Sequence, residues 1–243
     1  MSGHSKWSTI KRKKEKTDAQ RGKIFTKIGR EISVAVREGG PDPGSNSKLK
    51  DIIAKAKANN VPNDNIERII KKAAGGDGGA SYEEIVYEGY GPSGVAVIVE
   101  SLTDNRNRTA GEMRHYFDKY GGNLGQSGSV GFLFSRQGML VVEAEGVDED
   151  TLMEAALDAG AVDFLAEGEY FEIRTEPNDV GAVRDALEAR GYAFVSAGVE
   201  YIPNTYAALT AEADIKNMTR LLEMLEDNDD VQEVWHNWEN EEE

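Results

Sequence analysis

The residues of this 243-residue chain best suited to chemistry are cations gathered near one end. Lys6, Lys11, Arg12, Lys13, Lys14, Lys16, Arg21, Lys23, Lys27 and Arg30 all fall within the first thirty residues. Between Met1 and Gly75 there are 18 Lys and Arg against 8 Asp and Glu, and the remainder carries 10 against 36. A segment near +10 is thus joined to a body near −26, which together make the net −16. Clustered Lys and Arg neutralise phosphates and release condensed counterions, the term that supplies most non-specific nucleic-acid affinity. The acidic remainder does not cancel this, because salt screens charges over about 8 Å and each surface acts locally. A solvated basic face, or a tail docked on the acidic body, is the alternative for any such run. Here the run continues into a segment whose polar side is also basic, which favours a polyanion. Trp7, beside Lys6, suits either base stacking or a packing anchor for the tail.

Other constellations are weaker. Asp104-Asn105-Arg106-Asn107-Arg108-Thr109 opens a helix, where free backbone N–H groups favour an anion; Arg106 and Arg108 are therefore candidate phosphate contacts, or else partners of neighbouring carboxylates. The glycine-rich stretch Gly121 to Gly131 lies between a helix and a strand in that order and contains neither nucleotide-loop fingerprint, so it reads as a structural turn. His4, His115 and His236 are scattered and the acidic runs, Asp227 to Asp230 among them, read as solvated turns. No catalytic residue, metal or cofactor is expected. The absence of cysteine removes disulfides and thiolate chemistry. With no apolar run near 18 residues and no apolar stretch at the N-terminus, the expected location is the cytoplasm, with no membrane partner.

The elements that must hold these residues follow from periodicity. Residues 1–16 have little to bury and form a basic lead expected to be flexible. Ile24, Ile28, Ile32 and Val36 mark a helix behind a Thr17/Gln20 capping signal, ending at Gly39-Gly40. A second helix presents Leu49, Ile52, Ile53 and Ala56; a third, capped by Asp64, presents Ile66, Ile69, Ile70 and Ala73. Residues 17–75 are thus a basic three-helix domain, closed by the glycine-rich linker Gly75 to Gly79. Beyond it come a hairpin over 82–102, a helix over 105–120 behind an Asp104 cap, and a strand over 130–134. Residues 136–204 repeat βαββαβ, the ferredoxin-like order. A strand over 206–209, a helix over 213–226 and a strand over 231–238 are too few to fold alone. The expected fold is α+β and multidomain: residues 80–135 pair with 205–240 as one α+β domain, and the ferredoxin-like domain is inserted into it.

Gly3-His4-Ser5-Lys6-Trp7, Ile10 to Lys14, Asp18-Ala19, Arg21-Gly22-Lys23, Pro62 to Ile66, Glu88 to Pro92, Thr103 to Thr109 and Gly121-Gly122-Asn123-Leu124 together closely resemble the YebC/PmpR family over essentially the whole chain. The resemblance implies a helical N-terminal domain and two α+β domains, one inserted in the other. It also implies a regulator of gene expression. The family is catalogued as probable DNA-binding transcriptional regulators, and it includes a mitochondrial translational activator of cytochrome c oxidase subunit I and bacterial members that relieve ribosome stalling. DNA and ribosomal RNA therefore both stand as expected partners, with a protein-interaction module as a third class. No helix-turn-helix is evident from the sequence, which weakens operator-type readout, and no RRM or KH signature is present.

Overall fold

The structure, a computed structural model, describes residues 18–75 and 81–239. The basic lead 1–16 and the core of the glycine linker lie outside the described residues. Helix α1 (Asp18–Gly39) stops where Gly40 takes φ +87 and its N–H bonds Val36 O at 2.8 Å. Asn46 then fixes the entry to α2 (Ser47–Ala58). Its Nδ2 donates to Ala35 O and Gly40 O, both at 2.8 Å, while its Oδ1 accepts from Leu49 N at 3.0 Å. One buried amide thus caps α2 and ties it to the end of α1.

Helix α2 closes with Asn60 N on Lys57 O and Val61 N on Ala56 O, both at 3.0 Å, and with Asn60 left-handed at φ 57. This is a Schellman closure with asparagine in place of the usual glycine. Helix α3 (Asn63–Ala74) follows Pro62 with no side-chain cap, so Asp64 sits in the first turn and does not cap as its spacing suggested. Proline supplies the φ that starts a helix, and its carbonyl takes the N–H groups of Asn65 and Ile66. Ile28, Ile32, Ala35, Leu49, Ala56, Val61 and Ile66 form the apolar centre of the front, and α1 packs closely on α3, where Gly29 faces the Ile69 side chain.

The first sheet has the order β3-β1-β2-β8 and is antiparallel throughout: β1 (Glu83–Tyr90), β2 (Ala96–Thr103), β3 (Asn123–Leu124) and β8 (Val231–His236). Helices α4 (Arg106–Lys119) and α7 (Glu212–Asp227) cover the face bearing Val97 and Val99, with Phe117, Met218 and Leu221 between them. Two expected strands are absent. Residues 131–133 make a 3-10 turn, because Val130 and Gly131 donate their N–H groups to Glu88 and Leu133 N closes back on Val130 O at 2.9 Å, leaving Phe132 70% exposed. Residues 206–209 contribute a single parallel bridge, Ala207 to Trp238.

The inserted segment runs β4 (Phe134–Glu143), α5 (Glu149–Ala159), β5 (Asp163–Glu167), β6 (Tyr170–Thr175), α6 (Val180–Glu188) and β7 (Ser196–Pro203). Strand order is β5-β6-β4-β7, and β6 is antiparallel to both neighbours, so β4-α5-β5 is a split βαβ unit and the fold is ferredoxin-like. Leu140, Phe171, Ile173, Leu152 and Leu187 fill the space beneath its helices. The chain divides into two compact units, residues 136–202 with 57–60, and residues 18–56, 61–135 and 203–239. Among the described residues no helix is long and apolar enough to cross a membrane.

Candidate nucleic-acid interface

Strand β2 ends at Thr103, and two residues, Asp104 and Asn105, lead into α4. The helix is capped by Asn105, whose Oδ1 accepts from Arg108 N at 3.1 Å. Asp104, expected to be the cap, instead accepts from the Arg108 guanidinium at 2.9 Å, since the cap position falls one residue later. The same guanidinium reaches Asp230 Oδ2 at 2.7 Å, beside the Thr109 hydroxyl at 2.8 Å. Arg30, from α1, donates to the other oxygen, Asp230 Oδ1, at 2.7 Å and to Asp229 O at 2.8 Å. Asp230 is 4% exposed and so is no solvated turn residue. Burial pushes its carboxyl up, but bonds from Arg108, Thr109 and Arg30 outweigh this and hold it below the usual range. The bonds from Asp230 and Asp104 raise Arg108 correspondingly.

Three candidate cations lie at i, i+4 and i+7 along one side of α1 and meet the C-terminal end of α7. Lys23 pairs with Asp227, Lys27 Nζ donates to Glu226 O at 2.8 Å, and Arg30 takes Asp229 and Asp230. Unsatisfied carbonyls and the dipole make a helix C-terminus a natural cation acceptor. Two lysines of α2 act similarly: Lys48 bridges Glu38 and Glu84, and Lys55 pairs with Glu31 at 2.9 Å and lies 3.9 Å from Glu233. Arg106 pairs with Glu83 at 2.9 Å.

The glycine-rich stretch has its anion already. The Glu88 carboxylate accepts from Gly128 N at 2.7 Å, Val130 N at 2.8 Å and Gly131 N at 2.7 Å. Burial raises this carboxyl and the three N–H bonds lower it, with a net fall. A backbone nest filled by the protein's own carboxylate is a structural turn and leaves no room for a phosphate.

The structure thus joins Arg30 and Arg108 on one buried aspartate, engages Lys23 and Lys27 within the chain, and leaves Arg106 apart on Glu83. Lys6, Trp7, Lys11, Arg12, Lys13, Lys14 and Lys16 lie outside the described residues, as does the side chain of Arg21. Three cations that the first thirty residues did not draw attention to, Arg68, Lys71 and Lys72, are exposed on α3. Their spacing, on the side away from Ile66, Ile69 and Ile70, was readable in the sequence.

Residues 5–76 match the TACO1/YebC N-terminal domain, and residues 82–238 match the TACO1/YebC second and third domain. The chain belongs to the TACO1/YebC family. A probable transcriptional regulatory protein of Acetivibrio thermocellus is 62% identical over 98% of this chain and 99% of its own length. One of the same description from Caldicellulosiruptor bescii is 59% identical over the whole of both chains. The crystal structure of a conserved hypothetical protein from Aquifex aeolicus superposes with a TM-score of 0.82 at 46% identity, covering 92% of each chain. The TACO1/YebC models meet across residues 77–81, within the glycine-rich segment at which the charge changes sign.

Proposed function

We propose that this chain is a non-enzymatic regulator of gene expression that binds nucleic acid, acting on DNA in the cytoplasm. The observation that carries this is the partition of charge: 18 cations against 8 anions before the linker, in a chain whose net charge is −16. The names of its relatives point the same way. The basic lead 1–16 and the helical domain 17–75 supply phosphate contacts; the acidic domains repel adventitious polyanions and present shape to partners. Lys11, Arg12, Lys13, Lys14 and Lys16 carry most of this role, since Lys23, Lys27, Arg30 and Arg108 must exchange internal partners before they reach a phosphate.

Titration of a labelled DNA duplex across a range of NaCl tests it. Engagement of about five phosphates gives a slope of log K against log salt near −4.5. A slope near zero, or affinity unchanged when Lys11, Arg12, Lys13 and Lys14 are all replaced by alanine, sinks nucleic-acid binding by this segment. Sedimentation through sucrose separates the targets: co-migration with ribosomes, lost on deleting residues 1–16, moves the function to translation.

A further inference from the structure

We infer that α2, the turn 59–62 and α3 form a helix-turn-helix that presents α3 to the major groove of duplex DNA. Four residues separate Ala58 from Asn63, and the second of them, Asn60, is left-handed at φ 57. A helix-turn-helix needs a reversal of this length, tight enough that the second helix crosses the first. The side chains on the inside of the bend are the ones such a crossing requires. Ala56, four residues before the left-handed position, is small and fully buried; Val61, next after it, and Ile66, six after it, are 6% and 4% exposed. Helices α2 and α3 share little packing along their lengths, whereas α1 lies along α3 as the supporting helix.

This leaves the side of α3 opposite Ile66, Ile69, Ile70 and Ala73 facing solvent. Arg68 and Lys71 lie at its centre, with Asn65 and Lys72 flanking and Asp64 in the first turn. Among the described residues, Arg68 Nη2 donates to the Asn65 side-chain oxygen at 3.3 Å. Arginine and lysine match guanine O6 and N7, asparagine matches adenine N6 and N7, and a lysine at the edge of the helix reaches phosphate. The carboxylates of Asp64 and Glu67 oppose indiscriminate phosphate binding, so affinity from this face depends on the bases it meets. Exposure alone is what any solvated helix shows; the left-handed turn and the buried Ala56, Val61 and Ile66 add the bend that sets α3 across α2. The deep, narrow major groove of A-form RNA does not admit a helix, which makes duplex DNA the ligand.

The inference rests on the nucleic-acid reading above and narrows its partner. The full chain is incubated with a pool of short DNA duplexes carrying a randomised core, and bound duplexes are sequenced. The wild type is expected to enrich a motif over the pool. The Arg68→Ala/Lys71→Ala variant is expected to lose about tenfold or more of that preference. It should still bind mixed-sequence duplex through the basic lead. Removing the same charge at Arg114 and Lys119, exposed on α4, should leave the motif intact. Both variants replace exposed side chains, and unfolding at the wild-type temperature confirms that each is folded. Enrichment unchanged in the α3 variant, or equal binding of duplex RNA of the same sequence, overturns the helix-turn-helix while leaving the basic lead as a nucleic-acid contact. No binding of any nucleic acid overturns both readings.

Discussion

Asp230 shows how one side chain can organise a region. Its two oxygens receive Arg30 from α1 and Arg108 from α4, and its backbone carbonyl takes Leu102 N at 2.7 Å. Removing one member of a fully buried ion pair costs about 3–5 kcal/mol, but Arg108 is half-exposed and relaxes into water, so Asp230→Ala should cost about 2 kcal/mol in denaturant unfolding. The pH dependence has a definite sign. The folded carboxyl lies below its unfolded value, so its contribution is complete above about pH 4 and disappears as pH falls through the folded pKa. Unfolding followed from pH 6 downward should therefore show Asp230→Asn losing less stability below pH about 4 than the wild type does. Equal losses would remove Asp230 from the acid transition. Asn46 is the neutral counterpart: Asn46→Ala strips a cap and two carbonyl partners and should cost about 2 kcal/mol. Neither role was legible in the sequence. Asp230 sat in an acidic run typical of a solvated turn, and its partners lie 200 and 122 residues away.

At the scale of elements, the apolar period placed α1, α2, α3, α4 and α7 within a few positions, because each buries an apolar stripe, Met113 and Phe117 in α4 and chiefly Ile, Leu or Val in the others. The ferredoxin-like order was readable for the same reason, since period-2 and period-3.6 segments alternate cleanly from 138 to 203. What failed were ends and caps. Asn105 rather than Asp104 caps α4, and residues 131–133 turn where an apolar run suggested a strand, because local hydrogen bonds and the Glu88 nest decide these positions. The second helix was expected to end before Asn59-Asn60-Val61-Pro62, but the left-handed conformation there was not legible because it falls on asparagine and not glycine. Its energetics can be tested directly. Asn60→Gly should leave stability within about 0.5 kcal/mol, since glycine takes φ 57 freely. Asn60→Val, β-branched at the same φ, should cost about 2 kcal/mol. Thermal unfolding of the two variants side by side decides it: equal midpoints would mean the turn does not enforce the left-handed conformation.

On the scale of the whole molecule, the opposite charges of the two ends are engaged with each other. The helical front and the α+β sheet have separate apolar clusters, one drawn from residues 24–73 and the other from 87–238, and no residue belongs to both. Val34, Ile98 and Leu102 are buried outside either cluster. Among the described residues, polar contacts join front to sheet: Lys23, Lys27 and Arg30 on the end of α7, Lys48 on Glu84, and Lys55 near Glu233. The charge partition was plain in the sequence, but the cations spent on these internal contacts were not, since a carboxylate and a phosphate attract the same side chain. Most of these pairs are partly solvated, so salt acts on them: at 1 M the screening length falls to about 3 Å, and each exposed pair weakens toward zero. Arg30 on the buried Asp230 should resist longest, because little solvent reaches it. Amide hydrogen exchange followed from low to high NaCl should therefore show protection falling in α1 and α2 first, while β4 and β6 of the ferredoxin-like fold, which rest on an apolar core, hold theirs. Protection lost evenly across all of these elements, or lost from none, would mean that ion pairs do not govern how the front is held.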